Sequence, residues 1–190
     1  MLPVGPLMTE HRLIERMIHL IRQELERIRS NVAVDPEFAF VDPAFIDLAV
    51  DFLRIYADRC HHGKEEDLLF RELDKKNLSP KHRRLMAELV QEHARAREAT
   101  DRLLQAKEEH LHEEPKALEH LLMHLTTLVE LYPAHIEKED RHFFIPCLEY
   151  FSPSEKEALL ARMHEFDRQM IHEKYRLMVE SLETRRACAW

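Results

Sequence analysis

Glycine is nearly missing from this chain: 2 of 190 residues, where about 7% is ordinary. Phosphate-cradling loops, dinucleotide-binding turns and tight β-hairpins need φ > 0 or close backbone approach, which glycine supplies. Its scarcity excludes them. Cysteine is also sparse. Cys60, Cys147 and Cys188 form an odd set with no C-x-x-C spacing, which reads as reduced thiols packed as small hydrophobes. No apolar run approaches the roughly 20 residues of a membrane span, and no export signal stands at the start. The net charge of −8 leaves no basic excess for nucleic acid or anionic lipid. A cytoplasmic location is therefore expected, with no nucleic-acid or membrane partner.

Histidine, by contrast, is abundant, with 14 copies. Proline-marked joints divide the chain. Asp42-Pro43, Ser79-Pro80 and Ser152-Pro153 each put a capping side chain before a proline suited to the first helical turn. Asp35-Pro36 and Glu113-Glu114-Pro115 supply two more breaks. The spacing predicts five helices, at about 7–31, 43–74, 80–112, 116–146 and 153–186. Apolar stripes at 3–4 spacing mark a core-facing side on each. His11 fills the one gap in the stripe Leu7, Ile14, Ile18, Ile21, Leu25. Ile46, Val50, Leu53 and Ala57 lead to His61 and Glu65. Met86 and Leu89 lead to His93, while His135 and Glu139 fill gaps between Tyr132 and Phe143. Each of the first four helices thus points a histidine inward.

The four helices also repeat as pairs. His61–Phe70 and His135–Phe144 both read H-x-x-K-E-[ED]-x-x-x-F, and Glu10-His11 echoes Glu92-His93. Residues level with each other in an antiparallel hairpin are equidistant from its loop. The midpoints of 11 and 61, 61 and 93, and 93 and 135 are 36, 77 and 114, and each falls on or near a break. An all-α, up-down-up-down four-helix bundle would therefore bring the four histidines into one layer. Glu65 and Glu139, at i+4 from His61 and His135, share their faces. Six such groups are costly in a dry core unless paired. A pair of metal ions answers this, since imidazole and carboxylate suit iron and carboxylates can bridge two ions. His62 lies one face round, in line with Asp58, and is expected to face solvent. Lys64 and Lys138 read as surface ion-pair partners. His172 and most other histidines read as solvated, and His142 is a candidate neighbour of the site.

At Glu10-His11, His61-x-x-x-Glu65, Glu92-His93 and His135-x-x-x-Glu139 the sequence resembles the hemerythrin-like, HHE cation-binding family. The resemblance spans residues 7–146. It implies a bundle over 1–150 with an additional C-terminal helix in 151–190. It also implies a non-haem centre of two iron ions (Fe2+/Fe3+, oxo- or hydroxo-bridged), other divalent metals being alternatives. His11, His61, His93 and His135 would be terminal ligands, with Glu65 and Glu139 bridging. Asp140 matches the family's H-x-x-x-x-D element and is the alternative bridge; Glu139 is preferred because it lies in the apolar stripe. Oxygen-carrying members have a second histidine one turn after the third-helix ligand, where this chain has Arg97. Four His and two Glu are more like the iron-centre repair proteins of nitrosative stress. The implied small ligands are O2, NO or peroxide; iron handling or repair, or a structural or sensing bundle, are the alternatives. Turnover is not implied. Tyr56, Arg97, His124, Tyr132 and Asp140 are expected around the ligands. The last helix, with Leu159, Met163, Phe166, Met170, Leu177 and Ser181 or Leu182, is expected to pack on the bundle or form a homodimer.

Overall fold

The computed structural model describes residues 2–35, 40–168 and 171–187, and among these the regular structure is helical throughout. Cys188, Met170 and the Pro36 break lie outside the described residues. Among the described residues there are six helices: α1 (Gly5–Val34), α2 (43–73), α3 (Pro80–Leu111), α4 (117–147), α5 (Pro153–Phe166) and α6 (Ile171–Ala187). The starts of α2, α3 and α5 follow the capping residues. The Asp42 carboxylate accepts from the Ala44 and Phe45 amides, and Ser79 Oγ accepts from the His82 amide. Ser152 and Glu155 close a reciprocal capping box. The α3–α4 turn uses no glycine. Glu113 and Lys116 take φ of 57° and 67° there instead, a region costly for a residue with a Cβ.

The expected single helix at 153–186 is two helices, α5 and α6, with Asp167 closing the first. The break resets the helical phase. Leu159 and Met163 are buried on α5, but on α6 Tyr175, Val179 and Leu182 are the buried ones among the described side chains, while Leu177 is exposed. Tyr175 Oη donates to Asp51, and Arg16 on α1 forks onto Glu183. These contacts fasten α6 to the outside of α1 and α2.

Helix α1 packs on α2 and α4, and α3 packs on α2 and α4. The apolar core between them falls into two clusters. The larger contains Ile14, Ile18, Ala57, Ala96, Leu128 and Ile136, and the smaller contains Leu7, Leu69, Phe70, Leu89, Phe143 and Phe144. Along α1 and α3 the chain passes from the smaller cluster to the larger, and along α2 and α4 from the larger to the smaller. The crossings fall at His11, His61 and His93, and on α4 between Ile136 and Phe143, at Glu139. A buried polar layer therefore divides the core at one level.

Helix α2 is π-helical over Leu53–His62 and again over Glu65–Phe70, and α4 over Glu139–Phe143. Such i→i+5 turns are uncommon and cluster at functional sites. Gly63 sits inside α2 with ordinary helical φ, and a Cβ there would meet only Phe166 Cζ at 3.4 Å and the Asp58 carbonyl at 3.8 Å. The side a Cβ would occupy faces Phe166 of α5. Gly63→Ala should raise the thermal midpoint, because the helix gains up to about 1 kcal/mol from alanine's propensity. A lowered midpoint in thermal unfolding would show that Phe166 cannot give way.

Candidate metal centre

The side chains that divide the core are His11, His61, His93, His135, Glu65 and Glu139, none more than 3% exposed. His11 and His61 ring centroids are 4.6 Å apart, and those of His93 and His135 are 4.9 Å apart. Glu65 reaches His61 Nε2 at 3.2 Å and His93 Nε2 at 3.1 Å. Glu139 reaches His11 Nε2 and His135 Nε2, each at 3.2 Å. Each carboxylate thus lies between one histidine of its own helix and one from another. These approaches are close but not aligned as hydrogen bonds. Nine buried side-chain atoms lack a hydrogen-bond partner among the described residues: Nε2 of His11, His61, His62, His93 and His135, and all four oxygens of Glu65 and Glu139. Leaving one such atom unsatisfied costs about 1–3 kcal/mol.

The other ring nitrogen of each histidine is held. His61 Nδ1 lies 2.9 Å from Glu10, His135 Nδ1 2.9 Å from Glu92, His93 Nδ1 2.7 Å from Glu66, and His11 Nδ1 2.8 Å from Asp140. A carboxylate only accepts, so each Nδ1 carries the proton and each Nε2 faces the layer. Every one of these carboxylates is gripped in turn by a cation. Lys64 donates to Glu10, Lys138 to Glu92, Arg97 to Glu66 at 2.7 Å, and Arg12 to Asp140. The arrangement follows the sequence repeat. Glu65-Glu66 on α2 corresponds to Glu139-Asp140 on α4, the first acid turned in and the second turned to a histidine. Phe70 stacks on His93 and Phe144 on His11, closing the layer from the smaller core cluster.

All six residues singled out as ligands from the sequence are brought together. Of the surrounding set, Asp140, Arg97 and Tyr132 stand around the layer, Tyr132 stacking on His62 at 6.2 Å. Tyr56 is buried nearby but bonds His172 instead. His124 is misplaced by the sequence reading. It lines a surface cleft with His120 and Arg102, 11 residues and so about 16 Å along the helix from His135. His142 is exposed and takes no part.

Three further expectations are corrected. His62 is 1% exposed, not solvent-facing, and stacks on His93 with centroids 3.9 Å apart. The reason is the π-helical stretch that ends on it: a wider turn puts a smaller angle between neighbours, so His61 and His62 both face in. Lys64 is fully buried, held between Glu10 and the Asp167 carboxylate from the α5–α6 turn. His172 is half-buried against Tyr56, Asp167 and Cys60. The cysteine reading is consistent with burial at Cys60 and Cys147, where desolvation pushes both thiols up to about 12.

Without a metal the layer neutralises itself with protons. Burial alone would lower the His61 and His135 pKa values, but the Glu65 and Glu139 carboxylates outweigh it and raise both to about 10. Burial and the neighbouring Glu65 would raise Glu139, yet His135 and His11 hold it down to about 2. His62 goes the other way. Desolvation and the facing His93 keep it well below the usual histidine range, so it stays neutral.

The donor set suits cations. His11, His61, Glu65 and Glu139 offer ligand atoms all within 4.8 Å of one another, as do Glu65, His93, His135 and Glu139. Fold and site together define a helical bundle whose buried centre can hold metal ions. Residues 2–147 match the family model described as the hemerythrin HHE cation binding domain, and the chain belongs to that family. No curated protein and no solved structure matches the chain.

For metal-free protein the signs give a pH profile. The raised His61 and His135 values contribute stability that is complete below about 6.5 and is lost as pH rises through about 10. The depressed Glu139 contributes stability that is present above about 4.5 and is lost as pH falls through about 2. His62, held neutral below the usual range, adds stability that is present above about 6.5 and is lost as pH falls, so chelator-treated protein should melt highest near pH 6.5. A thermal midpoint that climbs between pH 6.5 and pH 9.5 would contradict this charge arrangement.

Proposed function

We propose that the protein holds two iron ions in this layer and binds a small oxidant or radical ligand there, of the class O2, NO or peroxide. The observation that carries the reading is the set of unpartnered imidazole nitrogens and carboxylate oxygens converging on one buried level. Glu65 and Glu139 belong to both four-residue groups, which supports a bridging role for each. Asp140 is occupied by His11 and Arg12, which favours Glu139 over it as the bridge. The alternating order of the two core clusters supports an up-down-up-down course for α1–α4, with residues 1–150 as the metal-binding unit and 151–190 as its appendage.

Bound iron would supply electrophilic, redox-active positions in a site dry enough to keep them from bulk water. The protein's own contribution is orientation. Each carboxylate fixes its histidine's tautomer and raises its basicity, a role whose loss typically costs 10–100-fold in metal affinity. Phe70 and Phe144 exclude solvent, and burial admits only small ligands. On metal binding, the Nε2 protons of His61 and His135 would be displaced, so acid should release the metal.

A second reading, a sensor working through the C-terminal helices, is favoured by one chain of contacts. His61, Glu10, Lys64 and Asp167 run in sequence from the layer to the α5–α6 turn. A homodimer built on these helices would use Phe166 and Leu177, which they leave exposed. A change of oligomeric state on oxidation, abolished by deleting 153–190, is the outcome that reading requires. A cytoplasmic location fits either.

Untagged protein loaded anaerobically with Fe(II) should retain about two iron ions per chain and develop a ligand-to-metal charge-transfer band in air. His93→Ala should lower iron affinity at least tenfold. Iron well below two per chain with no such band, or a His93→Ala variant that loads normally, would overturn the assignment.

A further inference from the structure

Outside the layer, another group of side chains has the chemistry of a metal site. One ligand atom each from Cys60, Asp167 and His172 lies within 4.8 Å of the others. Cys60 Sγ is 3.8 Å from His172 Nε2, and that nitrogen is 2.8 Å from Asp167 Oδ1. Glu10 Oε1 stands 3.7 Å from the same nitrogen. The three residues come from three places. Cys60 lies in the π-helical stretch of α2, Asp167 closes α5, and His172 is on α6. The other ring nitrogen of His172 is also held, Nδ1 lying 3.1 Å from Tyr56 Oη.

We propose that Cys60, His172 and Asp167, with Glu10 as the fourth ligand, form a separate site for one zinc-class divalent ion. Thiolate, imidazole and carboxylate in a four-coordinate set suit zinc. Zinc about 2.3 Å from sulfur and about 2.0–2.1 Å from nitrogen or oxygen sets tetrahedral ligand atoms roughly 3.3–3.6 Å apart. Cys60 and Glu10 already stand near that spacing from His172 Nε2, and the Asp167 contact need open by only about half an ångström. As the ion binds, the Cys60 proton leaves to solvent. His172 then carries its proton on Nδ1 and donates it to Tyr56 Oη, a hydroxyl that can accept as well as donate. The sulfur sets this site apart from the layer, whose nitrogen and oxygen donors suit iron. The inference does not depend on the dinuclear reading.

Packing does not account for the group. Cys147 is part of the smaller apolar cluster, as a cysteine used as a small hydrophobe should be. Cys60 is equally buried but belongs to neither cluster, and its sulfur faces a histidine. The local charge also tolerates a cation. Glu10 and Asp167 share one buried ammonium, that of Lys64, so two carboxylates stand against one positive charge. Access is open as well. A cavity of about 430 Å³ is lined by Glu10, Tyr56, Asp167 and His172 among others, so an ion reaches the site without crossing the core. Once bound, it would join α2 to the α5–α6 turn and to α6, fixing the C-terminal helices against the bundle.

The test is anaerobic Co(II) titration of the full chain after loading with Fe(II), cobalt standing in for zinc as a spectroscopic probe. A thiolate on Co(II) gives an intense sulfur-to-metal charge-transfer band in the near ultraviolet, which nitrogen and oxygen ligands do not. The unsubstituted protein should develop this band to saturation at one Co(II) per chain and lose it when Zn(II) is added. Cys60→Ala should abolish the band, and His172→Ala should weaken Co(II) binding at least tenfold. Cys188→Ala should leave both unchanged. No band, a band that survives Cys60→Ala, or one that Cys188→Ala removes would overturn the proposal. Should Cys60→Ala fail to fold, His172→Ala at its half-buried position supplies the comparison, and unchanged cobalt affinity there would overturn it. A chain that takes up no iron yet shows the Cys60-dependent band would sink the dinuclear reading and support this site.

Discussion

A buried layer of imidazoles and carboxylates with inward lone pairs constrains everything around it. Such groups cannot remain charged and unpaired in a dry core, so the bundle must supply either protons or cations between them. Both solutions are built in. In metal-free protein, raised histidine and depressed glutamate pKa values let the layer hold itself as ion pairs. With metal, the same atoms are aimed at common points. The outer carboxylates and the cations behind them serve both states, because they fix the rings whichever charge fills the middle.

The division of the apolar core follows from that layer. The larger cluster lies on one side and a smaller, phenylalanine-rich cluster on the other. The helices are carried past the layer by π-helical turns, which give up regular i→i+4 bonding to bring additional side chains inward. The C-terminal pair adds a lid on one flank. Asp167 neutralises Lys64, whose ammonium would otherwise be buried beside a single carboxylate. Helices α5 and α6 are thus tied electrostatically to the orientation of His61.

Much of this was legible in the sequence, for identifiable reasons. Ser79, Ser152 and Asp42 announce helix starts because their side chains bond the first amides. The inward histidines interrupt apolar stripes, and their equal distances from the chain breaks put them at one level. His62 was misread because a 3.6-residue period places it a face away from His61, and nothing in Leu53–His62 advertises a wider turn. Lys64 was misread because its second partner comes from residue 167, too remote for local pattern to reveal. The α5–α6 break went unseen because Glu165–Arg168 contains neither proline nor glycine. His172 was read as solvated because it lies in no stripe; its partners come from α2 and the turn at 167.

The central claim is that the unpartnered atoms of this layer are the ligands of two adjacent iron ions. X-ray absorption at the iron edge of the loaded protein tests it directly. The account predicts a first shell of nitrogen and oxygen only, the outer-shell pattern of several imidazoles, and a neighbouring iron scatterer. Sulfur in the first shell, or iron with no second iron beside it, would contradict the account.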